Sequence, residues 1–263
     1  MKSLITSAFA VATSLLIASS GSSHAQIVYE TNSLVTYDYV TPNAFIPGAP
    51  INSASAPYST FSFLPTGFSA SAISGGSFVI DANSDVVGLG ITANPGLFLG
   101  EDTNMITLSL GANVNYSLTA PIASSIAGAN TSLPYTVKVV GVDGASFASP
   151  IAAYSSSVAF TPNYNQITGP QGAPVSGTFV GYDKLSLTNI KMHYGLSPSQ
   201  NITAIRLQLS PSVTAWSVNG AASVQVVNAN ITTTVVPEPS TVALLASGLA
   251  GLGFVAARRR RLV

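Results

Sequence analysis

Between residues 26 and 236 the apolar period, where one shows, is two, and no stretch sustains a 3.6-residue period. In Ile202-Thr-Ala-Ile-Arg-Leu-Gln-Leu209 an extended chain places Ile205, Leu207 and Leu209 on one face and Arg206 and Gln208 on the other. Runs rich in β-branched and aromatic residues predict further strands near 33–40, 58–64, 77–80, 86–92, 105–110, 114–119, 135–142, 153–160, 175–180, 185–192, 213–218 and 222–231. Gly, Pro and Asn separate them. A chain of many short half-apolar strands buries a core only by pairing them and stacking the faces. The expected fold is therefore all-β, a β-sandwich of jelly-roll-like or Ig-like kind. Asn219-Gly220 predicts a two-residue hairpin turn, and residues 77–81 with 85–91 predict a hairpin with a longer turn.

One or two domains fit 263 residues. Ser74-Gly-Gly-Ser-Phe-Val-Ile-Asp81 echoes Ser176-Gly-Thr-Phe-Val-Gly-Tyr-Asp183, as two related halves would, with residues 121–134 as the natural linker. Chance recurrence of a common strand type is the simpler reading.

The chain has no cysteine, which excludes a disulfide framework, a thiolate metal site and a cysteine nucleophile. Its net charge of zero hides an uneven distribution. Residues 26–236 carry four basic side chains (Lys138, Lys184, Lys191, Arg206) and eight acidic ones, 4 − 8 = −4. Phosphate binding needs a basic stripe, and this region has none, so nucleic acid is excluded as a partner.

Both ends read as targeting segments. Residues 1–25 combine Lys2, a short apolar run broken by Thr13 and Ser14, and the small-x-small site Ser23-His24-Ala25. That is a secretory signal peptide, with the mature chain starting near Gln26. Residues 241–257 are seventeen residues without a charge, at the lower limit of a bilayer-spanning helix. Arg258, Arg259, Arg260 and Arg261 follow and hold the C-terminus on the cytoplasmic side, leaving everything before Thr241 outside. Two separate signals give one topology.

Immediately before the span stands Val236-Pro237-Glu238-Pro239-Ser240-Thr241. Pro237, Glu238 and Pro239, a short glycine-containing apolar segment and a terminal arginine cluster, in that order, resemble the PEP-CTERM sorting signal of Gram-negative bacteria. The resemblance covers residues 237–263 and implies a partner, the membrane enzyme exosortase. It also implies a transient hold in the inner membrane, removal of the tail, and delivery to the cell surface or beyond, in organisms that make exopolysaccharide. It implies nothing direct about residues 26–236. On physical grounds the two prolines fix φ and force extended backbone, so no helix runs through them and the stretch is open to a processing enzyme.

Residues able to do chemistry are few. With the signal removed only His193 remains, on an expected strand, and no Gly-x-Ser-x-Gly elbow or His-Glu-x-x-His accompanies it. The expectation is a protein that is not an enzyme. Asp81, Asn83 and Asp85 place oxygen side chains at alternating positions, as at the start of a calcium loop. Val86 stands where that loop needs glycine, however, and Thr92 where it needs glutamate, so there is no EF-hand. With Glu101, Asp102 and Asn104 they form a weak candidate calcium site at a sandwich edge, polar turns being the plain alternative. No other cofactor is expected. The function expected from all this is a non-catalytic cell-envelope or extracellular-matrix protein associated with exopolysaccharide or biofilm. The alternatives are a carbohydrate-binding module, with Trp216 or a row of tyrosines stacking on sugars, and a secreted glycoside hydrolase, which needs two facing carboxylates.

Overall fold

The computed structural model describes residues 26–41, 51–55, 58–63, 65 and 67–236. The expected signal peptide and the tail from Pro237 onward lie outside the described residues. In chain order the strands are β1 (Gln26–Thr31), β2 (Val35–Thr41), β3 (Ile51–Ser55), β4 (Tyr58–Phe63), β5 (Ser69–Ile73), β6 (Val79–Ser84), β7 (Val87–Ala93) and β8 (Ile106–Thr119). After them come β9 (Ile126–Val142), β10 (Ala145–Ser146), β11 (Tyr154–Thr161), β12 (Tyr164–Thr168) and β13 (Val175–Lys184). A short helix α1 (Leu187–His193) precedes β14 (Ile202–Leu209), β15 (Ser212–Val218) and β16 (Ala221–Val235). The fold is all-β, as the period-two pattern requires.

The main path of the sheet runs β1-β2-β7-β14-β9-β11-β13-β8-β16-β4-β3. It curls back on itself, so that strands near its two ends face each other. Tyr37 and Tyr39 of β2 meet Phe61 of β4, at ring-centroid distances of 4.3 and 5.5 Å. Two long strands serve two sets of neighbours. The first half of β9 pairs with β12 and β15 and the second half with β11 and β14. One flank of β16 takes β5 and then β4, while the other pairs with β8 along its length. A second layer, β12-β9-β15-β6, is thereby added.

Alternation carries through to burial. On β14 Ile205, Leu207 and Leu209 are buried while Arg206 and Gln208 are exposed. On β8 Ile106, Leu108, Leu110, Ala112 and Val114 point inward.

Several sequence expectations need correction. Asn219-Gly220 does turn the chain sharply, with Asn219 at φ 47°, but β15 and β16 do not pair. The turn instead carries the chain from the β6-β15-β9 layer to the β5-β16-β8 layer. Likewise β6 pairs with β15 whereas β7 pairs with β2 and β14, so residues 77–91 are no hairpin. Residues 185–192, read as a strand, are mostly helix α1. The Ser186 side chain accepts a hydrogen bond from the Asn189 N–H, and Leu187 and Ile190 are buried. Leu185 and Leu187 are both buried, so the start of the run imitates alternation, and seven residues are too few to show a helical period. The expected strands 105–110 and 114–119 are one strand, β8. In the stretch considered as a linker, residues 126–134 form the first half of β9, and strands from either side of it interleave throughout the sheet. The two echoing segments hold dissimilar places, one ending in β6 at the border of the second layer, the other forming β13 within the main path.

Candidate functional site

The described part of the chain ends on the sheet. Val235 is in register with Ile106, the Val236 N–H donates to the Met105 carbonyl at 2.9 Å, and the Asn104 N–H donates to the Val236 carbonyl at 2.9 Å. Pro237 has no N–H and cannot extend this ladder. Pro237, Glu238, Pro239, the apolar span and Arg258–Arg261 lie outside the described residues. Among the described residues no helix is long and apolar enough to cross a membrane.

The candidate calcium residues are occupied with backbone. The Asp81 carboxylate accepts from the Ser71 N–H at 2.7 Å, and the Asn83 amide donates to the Ser69 carbonyl at 3.4 Å. Both therefore tie β6 to β5 at the border between the layers. Asp85 lies beyond the end of β6, where its side chain accepts from the Val86 N–H at 2.8 Å. Glu101 has different partners, Lys184 Nζ at 3.3 Å and the Thr188 N–H at 3.2 Å. Burial opposes its charge, but the hydrogen bonds from Thr188 and the Lys184 ammonium prevail and hold its carboxyl below the usual range. Among the described residues no group of three or more His, Asp or Glu could hold a metal ion. His193 sits exposed in the last turn of α1, its Nε2 2.8 Å from the Ala152 carbonyl oxygen.

Other carboxylates are spread over the molecule. Asp38 pairs with Arg206 across Gly90, whose missing side chain leaves room for the ion pair. Asp183 accepts from the Tyr135 hydroxyl at 2.5 Å, and Asp143 from the Asn201 N–H at 2.9 Å.

Two uncharged surfaces stand out. The first is a groove of about 620 Å³ across β5, β16, β8 and β13. Register aligns two rows of outward polar side chains there, Ser71-Ser223-Ser117-Ser176 and Ser69-Gln225-Asn115-Thr178. Within them Ser176 donates to Ser117 at 3.1 Å and Thr178 to Asn115 at 2.7 Å.

The second is the outer face of β6-β15-β9-β12. One row reads Ile80-Trp216-Gly128-Gln166 and the next Ala82-Thr214-Asn130-Tyr164. The indole of Trp216 lies over Gly128, where any Cβ would collide with its ring. It stacks on Tyr164, with centroids 5.5 Å apart and planes at 27°. Phe78, Ile80 and Tyr164 are 61%, 59% and 51% exposed. Trp216 was legible in the sequence as a candidate. Its companions were not, because only the register of four strands brings them to one face.

No curated protein matches the chain in sequence. Among solved structures it is similar to infectious bursal disease virus Gx strain, at 13% identity and TM-score 0.22, covering 86% of this chain and 60% of that one. The VP2 subviral particle of the same virus gives 13% and 0.21, with the same coverage. The family 11 xylanase from Neocallimastix patriciarum gives 11% and 0.18, covering 71% of this chain and 96% of that one. The chain thus spans about 60% of the viral chains. Likenesses at these TM-scores carry no argument about fold or activity. The tail is different: residues 235–261 match the family model of the PEP-CTERM protein-sorting motif. The match is confined to the tail, where the order of prolines, apolar residues and arginines is that of the motif.

Proposed function

We propose that this is an exported, non-catalytic envelope or matrix protein, delivered by an exosortase-type membrane enzyme and associated with exopolysaccharide. In this reading residues 1–25 are a cleaved signal peptide and residues 26–236 a β-sandwich body. Pro237, Glu238 and Pro239 are the recognition element, residues 241–257 a transient membrane span, and Arg258–Arg261 its cytoplasmic stop. The observation that carries it is the motif match at residues 235–261, which begins on the last residue of β16. An enzyme acting at Pro237–Pro239 would leave the ladder of β16 intact. Asp38, Asp81, Asp85, Glu101, Asp143 and Asp183, each engaged with different partners, support the non-catalytic reading of the body.

The test is the mass of the surface-exposed protein with and without the sorting enzyme. Loss of the residues after the Pro-Glu-Pro element only when the enzyme is present supports the proposal, and retention of residues 241–263 in both cases overturns it. Deleting Arg258–Arg261 is expected to reduce processing, and Glu238→Ala to impair it while membrane insertion persists.

A further inference from the structure

We infer that the outer face of β6-β15-β9-β12 is a stacking platform for the pyranose rings of a neutral polysaccharide, centred on Trp216. The inference rests on the exported, polysaccharide-associated reading above and names the surface that makes the contact.

Three observations converge. First, Trp216 lies over Gly128 instead of standing away from the sheet, and Tyr164, half exposed, stacks with it from the far side of β9. A sugar ring presents a face of axial C–H groups, and a flat aromatic surface of this kind is what such a face packs against. Second, the rows contain no charged side chain: around Trp216 stand Ile80, Thr214, Asn130, Gln166 and, one row on, Ser212 and Ser132. An uncharged face has nothing to offer phosphates, an acidic polymer or a basic peptide. Third, the polar members lie beside the rings. Asn130 and Gln166 are exposed, and the Tyr164 hydroxyl donates to the Gln166 side-chain oxygen at 2.6 Å. Sugar hydroxyls satisfy amide and hydroxyl groups next to an apolar ring, whereas a lipid tail leaves them unpaired. The exposed Phe78 and Ile80 continue the apolar strip along the border strand, which suits a polymer better than a single sugar.

The protein carries a natural probe, since Trp216 is its sole tryptophan. The full chain, expressed with its export signals and recovered from the cell envelope, is titrated with soluble dextran and a soluble neutral β-glucan and adsorbed to insoluble cellulose. Alginate and anionic phospholipid vesicles serve as the contrasting probes. The expected result is saturable binding to at least one neutral polysaccharide, with a change in tryptophan emission. Tyr164→Ala retains the tryptophan, so its emission reports folding directly, and it should weaken binding on the order of tenfold, as expected for loss of one stacking ring. Trp216→Ala should weaken it at least as much.

Binding without a change in emission, or binding unaffected by Tyr164→Ala and Trp216→Ala, overturns the inference even if the protein is sorted as proposed. So does an emission change produced only by vesicles, only by alginate, or only by raising the protein concentration; the last would assign the face to a second copy of the chain. Failure of the sorting reading shows separately, in the mass of the surface form.

Discussion

Tyr37 of β2 stacks on Phe61 of β4, ring centroids 4.3 Å apart and planes 21° from parallel, although the two strands stand near opposite ends of the sheet. Phe61 also meets Tyr39 and Phe63 edge-on, so one ring joins the two faces of the curl. Phe61→Ala removes this junction and leaves a void between rigid strands. It should cost about 3–5 kcal/mol, read as a lower denaturation midpoint in urea. A loss below about 1 kcal/mol would mean that the curl is held elsewhere.

The turn at Asn219-Gly220 has no room for a side chain at its second residue. A Cβ on Gly220 would collide with the Thr119 carbonyl oxygen, which is backbone and cannot swing aside. The turn is further fixed by Ser125, whose hydroxyl donates to the Asn219 carbonyl at 2.6 Å. Gly220→Ala should destabilise by roughly 1–3 kcal/mol, as overpacking does elsewhere. Thermal unfolding of the variant beside wild type checks it.

Alkali should unfold the protein through its buried phenols. Burial raises the Tyr37 hydroxyl from its ordinary 10.0 to about 12, with Thr233 and Asn32 offsetting part of the effect. Burial likewise raises Tyr39 to about 12 and pushes Tyr135 and Tyr194 upward. A folded-state value above the unfolded one means that the unfolded chain releases its proton first. The stabilisation is therefore complete below 10 and is lost as pH rises toward about 12. Tyrosinate absorbance from these buried phenols should accordingly appear together with loss of the β-sheet signal.

Glu101 gives the opposite sign. Lys184 and Thr188 lower its carboxyl, so its contribution is present above the unfolded value and fades as pH falls through the folded one. Its partner is half exposed, which keeps the effect small. Glu101→Gln should cost about 0.2–1 kcal/mol at neutral pH, and the stabilities of variant and wild type should converge in acid.

What the sequence disclosed follows from which interactions are local. The run Ile202–Leu209 is a strand with the same boundaries in sequence and structure, because alternation and burial express the same fact. Trp216 was recognisable as a candidate because it is unique, and the tail because its elements are contiguous. Pairing is not local. Asn219-Gly220 announces a reversal equally well whether the strands that follow pair or part, and here they part. Strands β1, β3, β5, β10 and β12 were missed because they are short and carry few large apolar residues, so their sequences show no sustained apolar run. Gly128 gave no signal at all, since its importance depends on an indole from a strand more than eighty positions away.

The position of β16 also orders events in time. It is the last of the described strands to be made, yet it lies in the interior of the sheet, between β8 on one flank and β4 and β5 on the other. A chain emerging from its N-terminus therefore has β8, β4 and β5 outside early, but without the strand that joins them. The sheet cannot close until Val235 has cleared the exit, and by then Pro237 is only two residues behind. Completion of the fold and presentation of the Pro-Glu-Pro element thus become nearly simultaneous. On the sorting reading proposed above, the enzyme would meet its substrate only on a body that has just finished folding.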